Sequence, residues 1–535
     1  MKSNRLLMLM PIFVAVALAA GVYLGKNMGG QNQAALFSNK EFTQNDKLQQ
    51  IISYINSDYV DTVRSQEIVE ETISGILQNL DPHSYYIPKQ DYAAMNDPLE
   101  GEFDGIGIEF RIQEDTITVV QALAGGPSEE LGIMAGDRIV EVDGENVTGE
   151  TINNRRVVKL LKGPKGTTVN VLIKRKGTSD PIDFAIRRDK IPVYSVEAEY
   201  MINETTGYVK VLRFAKETHN EFMRAVRSLK KQGMSELVLD LRNNTGGFLN
   251  TAVDLCDEFL PKGKLIVYTE GKARRKKEFF ATSRGELEDV KVAVLINENS
   301  ASASEILAGA LQDNDVGTIV GRRSFGKGLV QEGMDWPDGS GVRLTVARYY
   351  TPTGRSIQKS YKDGLDNYNN EAYERYNSGE LYSLDSIDFP DSLKYITSGG
   401  KVVYGGGGIM PDIFVPIDTM GSSYYLGKLN YQGVFFQFGF QYVDDKRDDL
   451  TKQFSANNFA EKFSVANRLL KEFYDFAEEK EVPYEAEGAK DSEELIKRRI
   501  KATIARNLYR EKVFYQVVNE HDNVVKKAVE NFSAN

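Results

Sequence analysis

The sequence of 535 residues contains one cysteine, Cys256, and three histidines, His83, His219 and His521. A single thiol excludes an intramolecular disulfide, and the histidines are too far apart to match a zinc-ligand spacing. A metal site is therefore not expected. A Ser-His-Asp triad has little support, although the sequence alone leaves His83 open as a base. Cys256 lies in an apolar stretch and is expected to be a buried core residue.

The sequence also lacks an excess of positive charge. It has 66 Lys and Arg residues against 77 Asp and Glu residues, which gives a net charge of −11. A nucleic-acid-binding protein would show a basic stripe, so this balance argues against nucleic acid as a partner. Internal repeats are absent too. A chain of this length exceeds one hydrophobic core and predicts two to four domains.

The one long apolar run extends from Leu6 to about Leu24 and follows Lys2 and Arg5. Its length is close to the roughly 20 residues that span a bilayer. A positive segment before such a run is typical of a signal peptide or of an uncleaved anchor. Because positive flanks stay inside, either alternative exports the rest of the chain. We expect a periplasmic protein, tethered to the inner membrane if residues 1–25 are not removed.

Changes in residue pattern predict the domain boundaries. Residues 26–98 are a linker and a helical region whose two helices end before Pro82. Residues 99–188 alternate short strands with glycine turns and predict a β-rich module. Residues 189–425 alternate strands with helices, apart from a polar, tyrosine-rich insertion at about 359–400, and residues 426–535 are mostly helical. The predicted fold class is multidomain α/β.

Two strand–loop–helix segments carry candidate chemistry, VLDLRNNTGGFLNTAVDL and VAVLINENSASASEILAGAL. In an open α/β sheet, loops that leave the carboxyl ends of neighbouring strands meet at one edge. Gly246 and Gly247 would let backbone N–H groups approach a ligand there, as in an oxyanion hole; a tight turn is the alternative. Ser302 and Glu305 match an S-x-x-E capping box, yet a helix start is also a suitable place for a nucleophile.

A serine nucleophile needs a base, and the candidate is Lys327 in GRRSFGKGLVQEG. Ser-Lys pairs are known, but such a lysine must be neutral, which requires burial to lower its pKa from about 10.4. Leu329 and Val330 follow it and are consistent with an inward-pointing side chain. Gln331 shares a face with Lys327 in either a strand or a helix, so it can orient the amine. A surface lysine is the alternative.

Together these motifs resemble the C-terminal processing (tail-specific) serine peptidases, which contain an embedded PDZ domain. The resemblance runs from about residue 45 to 416 through LDPHS, LVLDLRNNTGG, NSASASEILAGALQD, GRRSFGKGLVQ, VRLTVARYYTPTGRSIQ and GGGGIMPDIFVP. It implies a peptidase core in which Ser302 is the nucleophile, Lys327 the general base and Gln331 the third site residue. The implied oxyanion hole consists of three backbone amides, those of Gly246, Gly247 and Ala303. No metal or other cofactor is implied.

The same resemblance implies that residues 99–188 are the PDZ domain. The carboxylate-binding loop would be GIGI, formed by Gly105, Ile106, Gly107 and Ile108, although a strand start with a glycine bulge is the alternative. The implied function is an exported serine endopeptidase that captures polypeptides with apolar C-terminal tails and cleaves them through an acyl-enzyme.

Two other functions stay open at this point. One is a noncatalytic PDZ scaffold with a degenerate protease core. The other is an esterase, whose activity would survive deletion of residues 101–188. The insertion and the C-terminal helices inherit no role from the resemblance, and homo-oligomer formation is left undecided.

Overall fold

The computed structural model describes residues 14–23, 44–387 and 390–534. Its first helices are α1 (14–23), α2 (Gln44–Asp58) and α3 (Ser65–Gln78). The two helices predicted before Pro82 are therefore confirmed. Of the predicted signal or anchor segment, only 14–23 lies within the described residues. Within the described ranges, none of the helices has both the length and the apolar character needed to cross a membrane.

Contacts divide the chain between Ile76 and Leu77 into two units, and all further elements belong to the second. Its first part contains β1 (Tyr85–Ile87), α4 (Lys89–Glu100), β2 (Glu102–Gly105), β3 (Ile108–Gln113), β4 (Thr116–Ala122), α5 (Pro127–Glu130), β5 (Arg138–Val142), β6 (Glu145–Asn146), α6 (Asn154–Leu161), β7 (Thr168–Lys174), β8 (Ile182–Arg187) and β9 (Asp189–Pro192).

The next part contains β10 (Val196–Met201), β11 (Thr206–Val211), α7 (Thr218–Lys230), β12 (Glu236–Asp240), α8 (Leu249–Asp257), β13 (Leu265–Glu270), β14 (Lys277–Phe280), β15 (Lys291–Ile296), α9 (Ala303–Asp313), β16 (Gly317–Gly321), β17 (Leu329–Asp335) and β18 (Gly341–Tyr350). The insertion contains α10 (Leu365–Asn377), β19 (Lys394–Ile396) and β20 (Val402–Tyr404), and β21 (Ile413–Phe414) follows it.

The C-terminal part is helical, as predicted. Its helices are α11 (Tyr424–Tyr431), α12 (Val434–Gln453), α13 (Phe459–Lys462), α14 (Asn467–Glu479), α15 (Ala486–Asp491), α16 (Glu493–Asn519) and α17 (Asn523–Ala534). Most of them pack around a core rich in phenylalanine. This helical part also touches the β-rich module, where the Arg111 guanidinium lies 3.2 Å from the centre of the Phe436 ring and Glu129 lies 3.6 Å from Arg510.

The β-rich module is an antiparallel sheet in the order β3-β4-β5-β7-β8, with β6 beside β5. Side chains that alternate along β4, β5 and β7 point to one face, because successive strand residues face opposite sides. Ile117, Val119, Ile139 and Val171 fill the module's own core together with Val157 of α6. Its short strands and turns agree with the β-rich module that the pattern of residues 99–188 predicted.

The central sheet has the order β10-β11-β12-β15-β16-β21, and all neighbouring pairs except β10 with β11 are parallel. The runs ELVLDL and KVAVLI are the adjacent strands β12 and β15. Their carboxyl ends therefore lie side by side, and the loop with Gly246 and Gly247 meets the loop that ends at Ser302. This confirms the geometric expectation that links the two candidate segments.

Both faces of the central sheet are buried, which explains why its strands are continuously apolar. Leu237 and Leu239 of β12 pack in the large core that α7, α8 and α9 cover, where the thiol of Cys256 is also fully buried. Val238, between them, points to the opposite face. That face is covered by α17 through Val525 and Phe532, so the last helix completes the core of the sheet.

Candidate active site

Ser302 is the N-cap of α9 and has an unusual backbone conformation, with φ 56° and ψ −113°. Residues other than glycine rarely adopt positive φ, and such strain is typical of functional sites. The flanking serines hold it in place. The Ser300 hydroxyl donates to the Leu241 carbonyl (2.8 Å) and the Ser304 hydroxyl to the Asn244 carbonyl (2.8 Å), and both are fully buried. Ser300, Ser302 and Ser304 therefore differ in environment.

Gly246 lies directly against the helix start. A Cβ atom at this position would come within 2.8 Å of the Ser302 Cβ and 3.0 Å of the Ala303 nitrogen, and φ is +106°. Only glycine fits such a close approach at positive φ. The Gly246 N–H already donates to Asn244 Oδ1 (2.9 Å). Of the three backbone amides predicted for the oxyanion hole, that of Gly246 thus already has an acceptor within its own loop.

Lys327 lies in the loop between β16 and β17, and its ammonium nitrogen donates to Gln331 Oε1 at 2.8 Å. The Gln331 amide in turn donates to the main-chain carbonyl of His83. Burial lowers the pKa of Lys327, while the carboxylates of Glu305 and Asp81 partly oppose this effect. The side chain is therefore inward-facing and close to the glutamine that the sequence paired with it.

Glu305 joins the serine loop to the lysine loop. Its carboxylate, which is not exposed at all, accepts hydrogen bonds from the N–H groups of Ser302 (2.8 Å), Gly326 (2.7 Å) and Lys327 (2.9 Å). The Ser324 hydroxyl is a fourth donor at 2.5 Å. Burial raises the pKa of Glu305 to about 7, whereas the hydrogen bonds favour the ionised form. The predicted capping residue thus also fixes the backbone of Lys327.

Tyr349 on β18 forms a second link between the two loops. Its hydroxyl lies 2.5 Å from the carbonyl oxygen of Lys327 and 3.1 Å from that of Ser302. The side chain is almost fully buried. Sequence reasoning missed this residue, because a tyrosine in a strand carries no local signal of such a contact. For Glu305, the S-x-x-E spacing was a partial signal.

Ser302, Lys327 and Gln331 line one cavity of about 630 Å³, together with Gly246 and Gly247. Apolar side chains form much of the remaining wall, including Tyr85, Leu249, Ile306, Leu329 and Val330. A cavity of this size with a few convergent polar groups suits a peptide segment with apolar side chains. His83 is not among the residues that line it.

In the β-rich module, GIGI spans the end of β2 and the start of β3. Gly107 has φ +75°, and the carbonyl of the buried Ile106 accepts a hydrogen bond from the Ser128 hydroxyl (2.6 Å). Within the described residues, β3 has a sheet neighbour on one side only, β4. An open strand edge beside a glycine loop can accept an added peptide strand.

Comparison with known proteins agrees with this arrangement. A carboxy-terminal-processing protease of Bartonella bacilliformis is 38% identical over 63% of this chain and 79% of its own length. The chain belongs to the carboxy-terminal processing proteases. Residues 205–366 match peptidase family S41 and residues 118–175 match a PDZ domain, which makes the protein a serine-type peptidase with an embedded PDZ domain.

Other matches cover further parts of this protease. Carboxy-terminal processing protease CtpA of Bacillus subtilis is 34% identical over 67% of this chain and 76% of its own length. Residues 15–91 match the activating protease CtpB N-terminal domain, and residues 425–510 match a family of unknown function. Among solved structures, the photosystem II D1 C-terminal processing protease is 28% identical, covers 71% of this chain and 88% of its own, and has a TM-score of 0.36.

Proposed function

We propose that the protein is an endopeptidase that cleaves by a Ser-Lys dyad. Neutral Lys327 takes the proton from the Ser302 hydroxyl, and Oγ attacks the carbonyl carbon of the scissile peptide bond. The lysine then gives the proton to the leaving amine as the C–N bond breaks, which leaves an acyl-enzyme. Water, activated by the same lysine, hydrolyses this ester. The supporting observation is the single cavity that both side chains line.

In this mechanism, the developing oxyanion is stabilised by the backbone amides of Gly247 and Ala303. Ala303 is the first residue of α9, so its N–H lies at the positive end of a helix. Gly246 contributes by allowing close contact between its loop and Ser302, since its own N–H is held by Asn244. Gln331 orients the lysine amine through the hydrogen bond between them.

The substrates that we propose are polypeptides with apolar C-terminal tails. Their terminal carboxylate would bind the backbone amides of Gly105–Ile108, and the tail would pair with the open edge of β3. The proposed domains are 99–188 for the PDZ domain, 189–425 for the peptidase core and 426–535 for the C-terminal helical region. The chain upstream of the captured tail would reach the cavity at Ser302.

This recognition predicts a strong effect of the substrate's C-terminus. A peptide with an apolar tail and a free carboxylate is expected to have a KM at least about 10-fold lower than the same peptide with an amidated C-terminus, with little change in kcat. The reason is that the carboxylate contributes binding that does not change in the transition state. Steady-state kinetics with the full chain measures both constants. Equal KM values for the two peptides would contradict capture through the PDZ domain.

The proposed role of Lys327 predicts how kcat/KM depends on pH. A general base must be deprotonated, and burial lowers the pKa of Lys327 from 10.5. We expect kcat/KM to rise with pH as Lys327 loses its proton, with a midpoint below 10.5, and to level off above it. Glu305, whose pKa burial raises to about 7, ionises in the same range and adds to the rise. Burial and the nearby Lys327 lower the pKa of His83 to about 4, so His83 is already neutral over this range. A profile that is flat over pH 5–10 would exclude a lysine base that ionises within this range.

We also propose that residues 1–25 direct export, either as a cleaved signal peptide or as an anchor. The support is the positive charge of Lys2 and Arg5 before the apolar run from Leu6 to about Leu24. Cell fractionation combined with N-terminal sequencing tests this. Cytoplasmic protein with an intact N-terminus would overturn the proposal.

A further inference from the structure

The loop of residues 322–328, between β16 and β17, carries Lys327 but has no regular secondary structure. Its backbone is held partly by main-chain hydrogen bonds, such as those from the Phe325 N–H to the Ser300 carbonyl and from the Tyr349 N–H to the Gly328 carbonyl (both 3.0 Å), and partly by side chains from other parts of the chain. Glu305 accepts from two of its N–H groups, and Gln358 Oε1 accepts from the Gly328 N–H at 2.8 Å. Tyr349 holds the Lys327 carbonyl. The position of the lysine therefore depends on contacts with distant segments, including buried side chains, rather than on a helix or strand of its own.

The insertion at about 359–400 supplies a further contact to this loop. Arg375 of α10 is buried, and its guanidinium donates to the carbonyl oxygens of Arg323 (2.7 Å) and Ser324 (3.1 Å). The two carbonyls belong to the start of the lysine loop. An arginine fork that bridges two successive carbonyls fixes both their distance and their orientation.

Glu380 completes the charge balance of this contact. Its carboxylate accepts from Arg375 Nε (2.7 Å) and from both Nε (2.7 Å) and Nη2 (2.6 Å) of Arg323. The two arginines keep the pKa of Glu380 below its usual value. Because the carboxylate stays paired with Arg323 when Arg375 is replaced, removal of Arg375 does not leave an unpaired buried acid.

Helix α10 also contacts His83, whose carbonyl holds Gln331, the hydrogen-bond partner of Lys327. The Tyr368 hydroxyl lies 2.6 Å from Nε2 of His83. The His83 carbonyl accepts from Gln331, which in turn holds the lysine amine. Thus α10 contacts the loop before the lysine through Arg375 and the turn behind Gln331 through Tyr368.

Lys359 lies next to the lysine loop and to α10. Its ammonium lies 4.2 Å from the centre of the Phe325 ring and 4.0 Å from that of Tyr368, and it pairs with Glu371 at 2.5 Å. Its side chain is 7% exposed. The insertion therefore covers the outer side of the lysine loop with a network of paired, largely buried side chains.

We propose that α10 is a brace for the catalytic base, in which Arg375 and Tyr368 are positioning residues that hold Lys327 in its reactive place and cover the outer side of its loop. This rests on the proposed Ser-Lys mechanism. It assigns a role to a segment for which the family resemblance supplies none.

The test compares Arg375→Met, Arg375→Lys and the wild type in the full chain. Arg375→Met keeps the apolar stem and removes the fork, and we expect kcat to fall at least about 10-fold with KM nearly unchanged, since small displacements of a reacting group cost up to about 100-fold. Water entry should also raise the pKa of Lys327 and move the midpoint of the pH profile upward by about half a unit or more. Arg375→Lys should recover part of the kcat.

Two tyrosine variants on the same helix distinguish an effect on the position of Lys327 from an effect on folding. Tyr368→Phe removes only the hydroxyl that meets His83, whereas Tyr373→Phe makes the same change at a side chain that is 68% exposed. We expect the first to lower kcat and shift the pH midpoint in the same direction, and the second to do neither. Melting temperatures show whether each variant is folded.

The outcomes separate this inference from the proposed function. Suppose that the wild type is active and that its kcat/KM rises with pH as Lys327 loses its proton. If folded Arg375→Met and Tyr368→Phe then have the same kcat and the same pH midpoint as the wild type, α10 is not a brace. A lower melting temperature without a kinetic change would leave it a stabilising element only. If the wild type cleaves no peptide, the Ser-Lys proposal itself fails.

Discussion

Replacement of Ser302 by Ala, or of Lys327 by Met, is expected to reduce kcat/KM for peptide cleavage by about 10,000-fold or more while the fold is retained. Without Ser302 Oγ no acyl-enzyme can form, and without Lys327 the hydroxyl keeps its proton. Methionine preserves most of the buried volume of the lysine stem. Steady-state kinetics on a peptide with an apolar C-terminal tail measures the loss, and the melting temperature reports the fold.

The double variant is expected to be no slower than either single variant, because nucleophile and base act as a unit. Ser228→Ala and Lys362→Met make similar changes at exposed positions outside the cavity and are expected to retain full activity. Activity within about 10-fold of the wild type in folded Lys327→Met would rule out the lysine as the base. Binding of apolar tails without any cleavage by the wild type would instead favour the noncatalytic scaffold.

Glu305→Ala is expected to lower both stability and activity. The change leaves three backbone N–H groups and the Ser324 hydroxyl without their acceptor in a buried site, which we expect to cost about 3 kcal/mol or more in the free energy of unfolding. Since the same carboxylate ties Ser302 to the backbone of Lys327, kcat should fall roughly 100-fold. Chemical denaturation and steady-state kinetics measure the two effects.

Glu305→Gln refines this prediction. The amide keeps the shape of the side chain, but in either orientation its NH2 group faces at least one backbone N–H donor where a carboxylate oxygen accepted. We therefore expect Gln to restore little of the activity, although it restores the packing. Glu288→Ala, at an exposed position outside the cavity, is the control. If Glu305→Ala were destabilised but as active as the wild type, the carboxylate would be structural only.

The sequence predicted those parts of the fold that depend on local pattern. The two strand–loop–helix segments were visible in the sequence, and the rule for open α/β sheets placed the loops after β12 and β15 together. Pairing Ser302 with Lys327 required the family resemblance, because no periodicity connects residues in different loops. Gln331 was within reach of local reasoning, since its spacing from Lys327 suits a side-chain hydrogen bond.

Other features depended on contacts between distant segments. Glu305 was visible as a capping residue, but its bonds to Gly326 and Lys327 exist only because the fold brings the second loop to it. The polar composition of the insertion suggested a surface segment, yet Arg375 is buried because two carbonyls and Glu380 satisfy its charge. Burial that depends on specific partners leaves no signature in hydrophobicity.

The position of α17 has a consequence for biosynthesis. Strands β11, β12, β15 and β16 leave the ribosome long before residues 523–534, yet one face of their sheet is covered by that helix. Until it docks, side chains such as Val238 and Val320 lack part of their apolar cover on that face, and exposed apolar surface of this kind favours association with other chains. We therefore expect the sheet to complete its core only after residues 523–534 are made, and a chain that ends before them to aggregate more readily than the full chain.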